Sequence, residues 1–170
     1  MWAAREENGF LRFIRMVRGI PKPVLIGLRG DVAFPFLALA LAFDVRVVSG
    51  DTVFHNRRQE LGMPPAGGLS CLLPLHVGFH KATQILTQTS KIDSRWAFSL
   101  GLVDQIVLPD DFEGDAISVG HEWARRPIEV IAAAKRGLNV HLLDPDVHFG
   151  APPQAPWVLG PDHSQAGSPC

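Results

Sequence analysis

Two cysteines, Cys71 and Cys170, are all that the 170 residues contain, too few for the set of bridges that staples a small secreted domain. Cys71 sits in the apolar stretch LSCLLPL and reads as a small buried hydrophobe, so the expected compartment is reducing. Charge of one sign is equally scarce: 16 basic against 17 acidic groups give a formal net charge of −1. That balance gives no field to gather nucleic acid or an anionic membrane, and neither partner is expected. Long hydrophobic runs are missing too. The longest, Val32 to Phe43, falls short of the about 20 residues a bilayer requires and reads as a buried core helix. The opening MWAAREENGF has acidic residues where a secretory signal needs a basic patch and then an apolar run, so the expected location is cytoplasmic. Metal-ligand clusters, phosphate loops and nucleophile elbows find no match, and no metal is expected.

What is present describes an α/β chain. Phe10, Phe13, Ile14 and Val17 share one helical face with Arg12, Arg15 and Arg18 opposite, which predicts an amphipathic helix over 3–20 whose arginines form its wet side. Pro21 and Pro23 stop it, and Val24–Leu28 suits a strand buried on both faces. Gly30 ends that strand, and Val45–Val48 and Thr52–Phe54 follow the apolar helix as further strands, implying a parallel crossover. LGMPPAGG, Leu61 to Gly68, predicts a loop of specialised backbone geometry with a helix beyond it. Helices are expected at His80–Thr89 and at Ser94–Leu100, the latter with Ser94 as N-cap and Gly101 as terminator. A strand follows at Val103–Leu108. Residues 111–142 read as helical, broken near Gly120 and restarted at Pro127. From Asp144 prolines, glycines and polar residues dominate, which predicts poor order. The expected divisions are a core over 1–110, a helical region over 111–143 and a tail over 144–170. No internal repeat is visible.

In order along the chain stand PKPVLIGLRG, then ALALAFDVRVVS, then TVFHNRRQELGMPPAGG, then LPLHVGFHKATQILTQTSKIDSRWAFSLGLVDQIV. The ordered set of a PKPV…G strand, LA.D.R, LG..P..GG and A..LGLVD resembles the crotonase superfamily of enoyl-CoA hydratases and isomerases, without a gap from about Pro21 to Val107 and more loosely through Pro127 to Asn139. The resemblance implies a crotonase-like spiral of ββα units, shortened at its N-terminus, that binds an acyl-CoA thioester in an extended groove. It implies trimers or hexamers, or a hetero-oligomer with a complete relative, and no cofactor other than the coenzyme A thioester itself as substrate or ligand. The shared chemistry is stabilisation of a thioester enolate by two backbone N–H groups, one at a helix N-terminus, with glutamates moving protons.

Carried over residue by residue, the pattern is degenerate here. The family's segment after the first strand reads roughly G-x-A-x-G-G-G-x-E, and this chain has Gly30-Asp31-Val32-Ala33-Phe34-Pro35-Phe36-Leu37-Ala38. The middle glycine, an oxyanion donor, falls on Pro35, which has no N–H to give. One hydratase glutamate falls on Ala38, and the other, which precedes the LG..P..GG loop, on Arg58. The second oxyanion donor is expected upstream of Met1. Substrate contacts fall on Ala33, Phe34, Pro35, Phe36, Pro65 and Ala66.

Each substitution also has a plainer reading. Pro35 suits the start of a helix Phe36–Phe43 while forcing Phe34 toward an extended conformation, and the two phenylalanines could be core or could fill the acyl space. Arg58 beside Arg57 is either a solvated pair or a cation for a carboxylate or phosphate. Glu60 would serve as a base only in a shifted register, and His55, next to the lost glutamate position, is the one histidine placed to act as a base. The expected function is acyl-CoA binding with ordinary hydratase activity weak or lost. The alternative is a non-catalytic crotonase-fold subunit that serves assembly.

Overall fold

Pro21 and Pro23 end the first helix, α1 (Trp2–Gly19), in the computed structural model, which describes residues 2–65 and 68–139. Ile14 and Val17 of α1 are buried, as the helical spacing requires. The arginine face is not all wet: Arg12 is exposed, but Arg18 is half-buried and its Nη2 donates to the Leu41 carbonyl at 2.7 Å.

Two strand–strand–helix units follow. The first is β1 (Leu25–Leu28), β2 (Asp31–Ala33) and α2 (Phe34–Ala40); the second is β3 (Val45–Ser49), β4 (Val53–His55) and α3 (Arg57–Glu60). Gly30, at φ +66°, makes the turn between β1 and β2, a conformation that a Cβ disfavours. The units stack strand on strand, β1 parallel to β3 and β2 parallel to β4, so the structure repeats where the sequence shows no repeat. Then come α4 (Leu69–Val77), α5 (Phe79–Gln88), β5 (Lys91–Asp93), α6 (Ser94–Ser99), β6 (Gln105–Val107), α7 (Phe112–Ala124) and α8 (Ile128–Leu138). One sheet has the order β1-β3-β6 and the other β2-β4-β5, with β5 antiparallel to β4.

Several expectations need correction. The strand buried on both faces is β3, not β1, because β3 is the central one of its sheet and β1 an edge. Val32 and Ala33 extend into β2 instead of opening the apolar helix, which therefore starts at Phe34; the extended residue ahead of it is Ala33, at φ −75° and ψ 145°. Asp93, not Ser94, caps α6: its Oδ1 accepts from Trp96 N at 2.7 Å, while Ser94 Oγ donates to the Gly50 carbonyl at 2.9 Å. Gly120 does not break α7, because Ala116 and Val119 hold that helix against the sheet and offset the roughly 1 kcal/mol a helical glycine costs. Cys71 is only half-buried. The 144–170 tail lies outside the described residues, as does the expected helix over 140–142.

Two apolar layers sandwich β3. Val48 packs with Leu37, Ala38, Phe54, Leu72 and Ile85 on one side, and Val45 and Val47 pack with Phe112, Ala116 and Val119 of α7 on the other. Gly27 permits that second contact, since a Cβ there would lie 3.0 Å from Phe112 Cζ.

Ion pairs fasten the helices to this frame, and they account for the D.R and LGLVD motifs. Arg46, buried in β3, grips Asp104 twice, Nε to Oδ2 at 2.8 Å and Nη2 to Oδ1 at 2.9 Å. Lys135 of α8 reaches Asp44 Oδ2 and the Lys22 carbonyl, and Asp44 also accepts from Val24 N. His76 sits beside Arg46 Nη1 at 3.4 Å. An arginine can only donate, so the imidazole Nδ1 accepts and stays neutral. Burial, then the charges of Arg46 and Arg18, lower its pKa to about 4.

Two outcomes follow for stability. Asp104→Ala strands a buried guanidinium and should cost about 2–4 kcal/mol in urea denaturation, more than Asp104→Asn. His76 binds its proton less readily folded than unfolded, so stability is complete above pH 6.5 and falls as pH drops toward about 4. In His76→Gln this slope should flatten, as read by denaturation at stepped pH.

Candidate functional site

Parallel strands β2 and β4 end in register, Ala33 beside His55, and each runs straight into a helix. The starts of α2 and α3 are thereby neighbours, at strand spacing of about 4.8 Å, at the carboxyl ends of the strands, where open α/β sheets hold ligands. Every residue expected at the site between 33 and 60 lies on these two junctions.

At the first junction Ala33 is the N-cap of α2 and supplies no side-chain cap. Phe34 and Pro35 form the first turn, so of the amide hydrogens a helix normally leaves free there, the one at position 35 does not exist. The plainer reading of the benzyl groups splits: Phe34 is buried in the core, whereas Phe36 is 57% exposed. Ala38 is fully buried among Leu37, Leu41 and their neighbours. A carboxylate there would enter an apolar layer, so in this chain position 38 is packing.

The second junction turns on Asn56, a buried residue that sequence reasoning passed over. Its Oδ1 accepts from Gln59 N at 3.3 Å, and its Nδ2 donates to the Thr89 carbonyl at 3.0 Å, tying the start of α3 to the end of α5. The signal was present: asparagine followed three places later by glutamine is a helix-start pattern. Arg58 is half-buried and partly engaged by its own loop. Its Nε donates to the Pro64 carbonyl at 2.7 Å and its own carbonyl accepts from Met63 N, so it closes the LGMPP turn on itself, with Gly62 at φ +63°. Glu60 is exposed, and two residues on a helix turn it about 200° from Arg58, away from that position. Pro65 is exposed, and Ala66 lies outside the described residues.

One pairing was not expected. His55 Nε2 lies 2.8 Å from Asp31 Oδ1, on the face of β2 and β4 that alternation turns outward, opposite buried Val32 and Phe54. Lys91 of β5 stands directly across from His55 in the register. The site thus gathers Ala33, Phe34, Pro35 and Phe36 with Asp31 and His55, while Arg58 of α3 turns toward the adjoining loop that holds Pro65. Among the described residues no group of three or more His, Cys, Asp or Glu side chains could hold a metal ion, and no helix is long and apolar enough to cross a membrane.

Comparison with known proteins agrees with this architecture. The profile of the enoyl-CoA hydratase/isomerase family matches residues 3–148. A probable enoyl-CoA hydratase of Mycobacterium avium is 36% identical over 131 residues, covering 74% of this chain and 49% of the relative. The ethylmalonyl-CoA decarboxylase of Rattus norvegicus is 33% identical over 102 residues, 59% of this chain and 33% of that one. The crystal structure of an enoyl-CoA hydratase from Thermoplasma volcanium superposes with a TM-score of 0.72 at 28% identity, over 81% of this chain and 54% of that chain. The chain spans about half the length of the hydratases it matches. With the family profile running from residue 3 to 148 and the crotonase-like α/β fold shared with a solved hydratase, the chain belongs to the enoyl-CoA hydratase/isomerase family.

Proposed function

We propose that this protein accommodates an acyl-CoA thioester at the β2–α2 and β4–α3 junctions and hydrates enoyl-CoA weakly or not at all. The substrate class rests on family membership, and the names of the matched relatives, enoyl-CoA hydratases and an ethylmalonyl-CoA decarboxylase, have the CoA thioester in common. The loss of turnover rests on one observation above all: Pro35 occupies the first turn of α2. An oxyanion donor is worth on the order of 10² to 10³ in rate and an acid or base roughly 10² to 10⁴. Ala38 is packed into the core and Arg58, whose Nε donates to the Pro64 carbonyl, carries no carboxylate, so neither glutamate position has a group that can accept a proton. His55, held by Asp31, is the acid–base pair nearest the junction.

A second reading is favoured by exposed apolar side chains around the same site, Phe36, Leu61 and Met63. Patches of this kind mark contact surfaces, which supports a non-catalytic subunit that assembles with itself or with a complete relative.

Calorimetric titration with crotonyl-CoA, run beside an absorbance assay of hydration, should give saturable heat without turnover. Pro35→Gly restores the amide hydrogen and should raise hydration by up to about 10²-fold without tightening binding. Turnover in the unaltered protein at an ordinary hydratase rate, abolished by His55→Ala, would overturn the proposal. Absence of heat together with a defined trimer or hexamer in sedimentation would favour the assembly reading.

A further inference from the structure

Away from the β2–α2 and β4–α3 junctions, Lys22 and Pro23 ahead of β1, Gly120 and Ala124 of α7, and Arg126 and Ile128 at the α7–α8 elbow line a cavity of about 300 Å³. That is the lower end of the range for small-molecule sites. The two charged residues of the six are both cationic and both exposed. Arg126 stacks on Trp123, its guanidinium carbon 4.0 Å from the ring centroid, and its amide donates to the Trp123 carbonyl. The Lys22 backbone is pinned by its carbonyl, which accepts from the buried Lys135 Nζ at 3.0 Å. Gly120 leaves the helix wall recessed, since a Cβ added there would meet nothing within 4 Å. Pro23, Ala124 and Ile128 give the remainder an apolar lining. Glu129, exposed beside Ile128, stands outside the lining.

We propose that this cavity binds a small organic anion, a phosphate or carboxylate head carried on a short apolar body. The head would lie between Lys22 and Arg126, whose fork suits such oxyanions, and the body over Pro23, Ala124 and Ile128. The site shares no residue with the thioester junctions, so it stands or falls separately from the reading above.

Titration of the full chain with phenyl phosphate, followed by calorimetry, tests it. Saturable binding is expected, weakened about tenfold by Lys22→Gln and by Arg126→Gln, and lost in Gly120→Leu, which fills the cavity without changing charge. Inorganic phosphate should bind more weakly than phenyl phosphate. Melting temperatures close to that of the unaltered protein would separate lost binding from lost folding. No saturation, equal binding by the variants, or inorganic phosphate binding as tightly as the phenyl ester would each overturn the proposal.

Discussion

The parallel register of β2 and β4 is the constraint on which the site depends. It brings the starts of α2 and α3 side by side, and from then on what the site can do is decided by which backbone and side-chain groups those two turns expose. At α2 the turn exposes an imino acid and, one residue on, a solvent-facing benzyl group. At the β4–α3 junction stand a histidine, the last residue of β4, in contact with Asp31, and an arginine of α3 turned back on its own loop. The geometry of a helix start is intact at both places, while position 35 has no amide hydrogen and positions 38 and 58 have no carboxylate.

The frame that holds this register is fastened by charge as much as by apolar packing. Val45, Val47 and Val48 are packed from both sides, but Arg46 between them is also buried and is satisfied by Asp104 from the loop before β6. Asp44, one residue before β3, takes Lys135 from α8 and the amide of Val24. Removal of one member leaves an uncompensated charge in a low-dielectric interior, where the penalty exceeds what the pair contributes when intact. This is the physical content of motifs that in the sequence served only as marks of resemblance.

Much of this was legible beforehand. The branched run around β3, the prolines after α1, the strand end at Gly30, the positive-φ Gly101 and the extent of α5 to within a residue follow from local preference and pattern, whereas β6 is shorter than the Val103–Leu108 expected. The strands β2 and β5 were not legible, because three residues give no measurable alternation and both carry aspartate, which strands disfavour. At the site, Pro35 could be placed by the chain's own motif, since a missing N–H is a property of the residue. The roles of Ala38 and Arg58 could not, because burial in a core and a bond to the Pro64 carbonyl are tertiary facts. The contact of His55 with Asp31 depends on strand register across 24 positions of sequence, which no periodicity encodes.

The central claim concerns charge at one oxygen: with proline in the first turn of α2, a bound thioester carbonyl lacks the donor that would polarise it. Infrared difference spectroscopy of butyryl-CoA labelled with carbon-13 at the thioester carbonyl reads that polarisation directly. The account predicts a carbonyl band near its position in water for the unaltered protein and a shift to lower frequency in Pro35→Gly. A band already strongly lowered in the unaltered protein, and unmoved by Pro35→Gly, would contradict it.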